Sequence, residues 1–103
     1  MGGRVTGEFE RWWDSLTAAE QSDVRAVYFL LRTFGPALRH PFSFGIKTSR
    51  HSHMRELRIQ RRGKPYRVLY TFDPRRTAVL LVGGRKTGVR GWYETYVPIA
   101  DRI

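Results

Sequence analysis

Phe9, Trp12, Trp13 and Leu16 recur at i, i+3, i+4 and i+7, the apolar stripe of one face of a short helix. "TAAE" at 17–20 has the form of a capping box, in which the Thr17 hydroxyl accepts from a backbone N–H while Glu20 reaches back. It predicts a second helix with Val24, Val27, Tyr28, Leu31 and Phe34 inward, stopped by Gly35 and Pro36. Trp12 and Trp13 read as core. Residues 35–53 show no clear period and carry two prolines and two glycines, so they read as a long loop.

The period then falls to two. In "RELRIQRRGKPYRVLYTFD" (55–73), Leu57 and Ile59 alternate with Arg58, and Val68 and Tyr70 alternate with Arg67. Strands are predicted at about 54–60, 65–72 and 77–83, joined by turns at "RRGK" and "DPRR". "AVLLV" at 78–82 is apolar throughout, which predicts a central strand covered on both faces. "PIADRI" predicts a helix that begins at Pro98 and is cut off by the end of the chain. The sum is an α+β domain, a helical hairpin packed on a small antiparallel β-sheet. Leu57, Ile59, Val68 and Tyr70 would lie under the helices. Arg58 and Arg67 would share the opposite face, with Arg85 at the end of the next strand. The sheet should then have a dry side and an arginine side.

Length and composition narrow the class. At 103 residues the chain is expected to be a single domain over 1–103, with 41% apolar residues to form its core. Without cysteine it has no disulfide and no thiolate nucleophile. No run of 18 or more apolar residues exists, and charges at Arg4, Glu8, Glu10 and Arg11 interrupt the start, so a cytoplasmic protein with no membrane segment is expected.

Charge changes the picture most. Residues 1–34 carry four basic and five acidic side chains, and residues 35–103 carry fifteen and four. Residues 39–67 alone hold nine Lys or Arg against one acid, Glu56. Sixteen of the nineteen cations are arginine, whose planar fork of donors matches phosphate oxygens two at a time. Nucleic acid, an anionic membrane surface or an acidic protein are the partners such a face fits.

"GGRKTG" at 83–88 lacks the spacing of a nucleotide-binding phosphate loop. His51 and His53 have no acid or third ligand nearby, so no metal site is read. They read instead as loop histidines near an RNA phosphate. No cofactor motif, nucleophilic triad or paired carboxylates at a catalytic spacing are present.

Four motifs in order, "EFERWW", "RELR", "YRVLYTFDP" and "VLLVGGRK", followed by "WYE" and "PIADRI", resemble the RelE/HigB superfamily of bacterial type II toxins, in its phage-derived HigB-like branch. The resemblance runs from about Val5 to Ile103. It implies a small sheet on two helices whose basic concave face cleaves messenger RNA on the ribosome, and a cognate antitoxin as partner. The expected first strand is incomplete, since only "GGRVT" stands there, and the C-terminal helix is expected to be truncated.

The resemblance implies catalytic roles for Arg58, Arg67, Arg85, Glu56 and Tyr93. Arg58 would face the scissile phosphate and Arg67 would contact it. Arg85, or Lys86 beside it, would add a cation, and Tyr93 would stand near the reacting ribose. Glu56 occupies a place where other members carry lysine. Lys47, Arg50, His51, His53 and Lys86 are read as RNA-binding. Cleavage would need no metal: the ribose 2′-hydroxyl attacks its own phosphate and arginines stabilise the charge. The alternative is a non-catalytic or gyrase-targeting module of the same fold. Phe42, Phe44 and Ile103 lack an evident core position and are expected to contact the antitoxin.

Overall fold

The structure is a computed structural model and describes residues 4–47, 49, 53–86 and 91–103. In chain order the elements are β1 (Arg4–Val5), α1 (Gly7–Asp14), α2 (Ala18–Phe34), a 3-10 turn (Gly35–Ala37), β2 (Ser43–Gly45), β3 (Arg55–Arg61), β4 (Lys64–Phe72), β5 (Ala78–Arg85) and α3 (Gly91–Asp101). The strands form one sheet in the order β1-β5-β4-β3-β2. β1 runs parallel to β5 and the other pairs are antiparallel, so the α+β fold is built on a mixed sheet. No helix among the described residues is long and apolar enough to cross a membrane.

Local chemistry sets the helix ends. Thr6 caps α1, its hydroxyl accepting from the Phe9 amide at 3.1 Å. The capping box of α2 is complete: Thr17 Oγ1 accepts from the Glu20 amide, and Glu20 Oε1 accepts from the Thr17 amide at 2.8 Å. Gly35 ends the helix at φ +54°, a conformation that favours glycine. Val24, Tyr28 and Leu31 are buried as expected. Phe34 is not; it lies at the edge of that stripe in the last turn and is 55% exposed.

The sheet has two covered faces. Under α1 and α2 lie Leu57, Ile59, Tyr66, Val68, Tyr70 and Leu80, packed with Phe9, Trp13, Val24, Tyr28 and Leu31. On the other face α3 packs Trp92, Val97 and Ala100 against Met54, Leu69, Leu81 and Val82. The expected dry side and arginine side are therefore corrected: α3 dries part of the second face, and cations occupy only the part beside it. The helix also begins at Gly91 rather than Pro98, which lies inside it. Burying Trp92, Val97 and Ala100 outweighs the backbone hydrogen bond that proline cannot donate.

One further expectation changes, and two are met. The stretch 35–53 contains β2, which pairs with β3 from Ser43 opposite Leu57 to Gly45 opposite Arg55. The incomplete first strand is present as two residues, opposite Val79 and Leu80. Arg62 and Gly63 both take positive φ and close a two-residue hairpin between the Arg61 and Lys64 pair.

Gly83 and Gly84 position the aromatics on both faces. A Cβ on Gly83 would stand 2.1 Å from the Trp12 ring. One on Gly84 would stand 3.0 Å from Trp92 Nε1 and 3.2 Å from the Tyr96 ring. Each glycine lets an indole lie against the sheet backbone, Trp12 from α1 and Trp92 from α3.

Candidate functional site

Alternation along paired strands selects the side chains of the face that α3 covers in part. Phe44, Glu56, Leu69 and Val82 are register partners in one row across β2, β3, β4 and β5. Arg58, Arg67 and Gly84 are partners in the next. Trp92 and Tyr96 cover the glycine end of that row, and their rings stack with centroids 4.7 Å apart.

Glu56 is the hub. It is 2% exposed, and its Oε1 accepts from Arg58 Nε at 2.7 Å while Arg58 Nη2 also stands at 2.7 Å. Its Oε2 stands 4.0 Å from Arg67 Nε, and both of these buried atoms lack a hydrogen-bond partner. A buried carboxylate is held in place by the cations around it, and here two arginines share one acid. Glu56 Oε2 and Arg67 Nε thus face each other beyond direct hydrogen-bond distance.

Tyr93, from the first turn of α3, lies beside both Glu56 and Arg67. Burial first, and then the neighbouring Glu56 carboxylate, hold its hydroxyl above the ordinary tyrosine range, and the Arg67 guanidinium opposes this in part. The phenol thus stays protonated, a hydrogen-bond donor rather than a base. Lys86 Nζ lies 5.6 Å from the centre of the Tyr93 ring.

Across the sheet, Arg58 Cζ lies 3.4 Å from the centre of the Phe44 ring, and the His40 ring meets Phe44 edge-on at 3.9 Å. Lys86, Tyr93, Arg67, Arg58, Phe44 and His40 thus mix cations and rings over one surface. Interleaved cations and π-faces are what single-stranded nucleic acid binds: charge for the backbone, rings for the bases.

The fold brings Arg58, Arg67, Glu56 and Tyr93 together. Arg85 stands apart: it pairs with Tyr66, whose side chain is in the core under α1 and α2, so it shares that face. Lys86, one residue on, joins Tyr93 instead. Lys47 and His53 line a cavity of about 690 Å³ at the β2 edge, together with Arg58. Arg50 and His51 lie outside the described residues. Among the described residues no group of three or more His, Asp or Glu could hold a metal ion. Phe42 is partly buried against the helix-side core and Phe44 lies on Arg58, whereas Ile103 is 51% exposed. Sequence reasoning missed His40 and the role of Phe44 beside Arg58, because β2 is too short to show a period.

Comparison with known proteins adds a lineage. Residues 11–103 match the family described as "Phage derived protein Gp49-like". The chain is 38% identical over 96 residues to "Putative toxin HigB3" of Mycobacterium tuberculosis, covering 92% of this chain and 82% of that protein. It is 35% identical over 103 residues to "Putative toxin HigB2" of the same organism, covering 95% of this chain and 51% of that protein. No solved structure gives a significant match.

Proposed function

Because the chain belongs to the family of phage-derived Gp49-like proteins, we propose that it is the toxin of a type II toxin–antitoxin system, a metal-independent endoribonuclease that cleaves messenger RNA on the ribosome. Its similarity to two relatives named as toxins supports the class. The observation that carries the chemistry is the Arg58–Glu56–Arg67 cluster with the protonated Tyr93 at its open side.

In the proposed reaction the 2′-hydroxyl oxygen attacks the adjacent phosphorus and the bond to the 5′-oxygen breaks. The products are a 2′,3′-cyclic phosphate and a 5′-hydroxyl end. Negative charge grows on the phosphate oxygens, where Arg67 and Lys86 stabilise it. Tyr93 gives a proton to the departing 5′-oxygen. The 2′-hydroxyl proton passes to the imidazole of His53, an exposed side chain on the β2-edge cavity, because the Glu56 carboxylate is buried and already held by Arg58. Glu56 fixes Arg58 and balances Arg67. In this reading Arg85 has no catalytic part.

A basic face of this kind needs an inhibitor while the chain is stored, and a cognate antitoxin with acidic surface fits it. Inducing the chain is expected to arrest growth, and co-expressing the neighbouring reading frame should relieve the arrest and yield a co-purifying complex. A folded chain that arrests nothing and binds no such product would end the toxin reading.

A further inference from the structure

The cavity at the β2 edge is larger than a phosphate needs. About 690 Å³ opens beside Arg58, and its lining includes Arg39, His40, Phe44, Lys47 and His53 but no carboxylate. Arg58 itself is already committed. Its Nε and Nη2 are turned to Glu56 Oε1, and one face of its guanidinium rests on Phe44 at the spacing of stacked planar groups. What remains is the exposed 36% of the side chain, which borders both this cavity and a neighbouring cleft lined by Asp23, Phe42, Gln60 and Arg67. A guanidinium held by one edge and backed by a ring is a poor phosphate fork and a good stacking plane.

We propose that this cavity is a nucleobase subsite, an inference that rests on reading the Arg58 and Arg67 face as an RNA surface. One base of the message leaves its neighbours and stacks on the exposed part of Arg58. Phe44 backs the guanidinium, and His40 forms the wall. The phosphate on one side of that base then reaches Arg67 and Lys86, and the other side meets Lys47. Arg58 thereby changes role, from phosphate contact to base platform, with Phe44 as its positioning residue.

The test uses the full chain and single-stranded 2′-O-methyl RNA, which cannot be cleaved by 2′-hydroxyl attack. An abasic residue is moved through the oligonucleotide one position at a time, and binding is read by fluorescence anisotropy at low salt. At one position the missing base should weaken binding about tenfold, the effect of a lost stacking contact. In Phe44→Leu, which keeps apolar bulk at the β2 edge but removes the ring behind Arg58, that difference should vanish. An abasic scan without a sensitive position overturns the subsite and leaves the RNA surface standing, as does a sensitive position that persists in Phe44→Leu. Absence of RNA binding at any salt overturns the RNA surface and the subsite together.

Discussion

Arg58 and Arg67 stand directly opposite each other across β3 and β4, a like-charged pair in register. Such pairs are destabilising unless a counter-charge is supplied. Glu56, two residues before Arg58 on the same strand face, supplies it at 2.7 Å to one arginine and 4.0 Å to the other. The cluster is a charge arrangement whose geometry depends on a single acid.

Removing that acid should therefore damage the fold as well as the site. Glu56→Ala leaves two facing arginines with no counter-charge, and breaking a buried pair this way costs about 3–5 kcal/mol. Because Arg58 is partly exposed, water recovers some of this, and on the order of 2–3 kcal/mol is expected. Urea unfolding followed by tryptophan fluorescence measures it, and an unchanged midpoint would contradict the hub role of Glu56.

The two glycines of β5 should differ in their tolerance of a methyl group. Gly83→Ala drives a Cβ to 2.1 Å from the Trp12 ring, which α1 and the helix-side core hold in place. Overpacking of this kind costs about 1–3 kcal/mol. Gly84→Ala meets Trp92 at 3.0 Å, where a small shift of α3 gives relief, so its loss should be smaller. Equal urea midpoints for the two variants would count against this packing.

Below neutral pH the capping box becomes a weak point. The Tyr66 hydroxyl and then the Thr17 backbone amide lower the pKa of Glu20 below its ordinary value. A carboxylate lowered on folding adds stability above the unfolded pKa, near 4.5, and loses it as pH falls through the folded value. Tyr66→Phe removes the largest cause. Its stability deficit relative to the parent should be present at pH 6 and shrink toward pH 3, measured by thermal melts across that range. A deficit constant with pH would point to packing alone.

Above neutral pH Tyr93 supplies the complementary signal. Its hydroxyl is held above the usual value of 10.0 by burial and then by Glu56. A tyrosine raised on folding adds stability below its unfolded pKa and loses it as pH rises through the folded one. Phenolate absorbance should show a late-titrating component that is absent in Tyr93→Phe. In a folded Glu56→Gln variant it should titrate earlier, because the carboxylate charge is gone. A late component unaffected by either change would place Tyr93 elsewhere.

Much of this was legible in the chain because period and burial agree. The stripe ending at Leu31, the alternation around Arg58 and Arg67, and the "TAAE" cap each state their own structure. What was hidden depended on partners remote in sequence. β2 is three residues long, so nothing local announces that Phe44 meets Arg58. Pro98 reads locally as a helix start, whereas the burial of Trp92 and Val97 decides where α3 lies. The cations after β5 follow from strand parity. Gly83 lies under Trp12 and Gly84 under Trp92, so Arg85 takes the helix side, and Lys86 reaches Tyr93.

The central claim is that the Arg67-centred cluster cuts translated messages, and transcript ends test it most directly. RNA 5′ ends are mapped across the transcriptome after brief induction of the parent chain and of Arg67→Ala, with both proteins shown to be folded by circular dichroism. The parent should produce new 5′-hydroxyl ends within translated reading frames. Arg67→Ala should reduce them about a hundredfold or more, the usual effect of losing one charge-stabilising donor. Growth arrest with intact messages, or broken DNA beside whole RNA, would contradict the nuclease and favour a toxin that acts on gyrase.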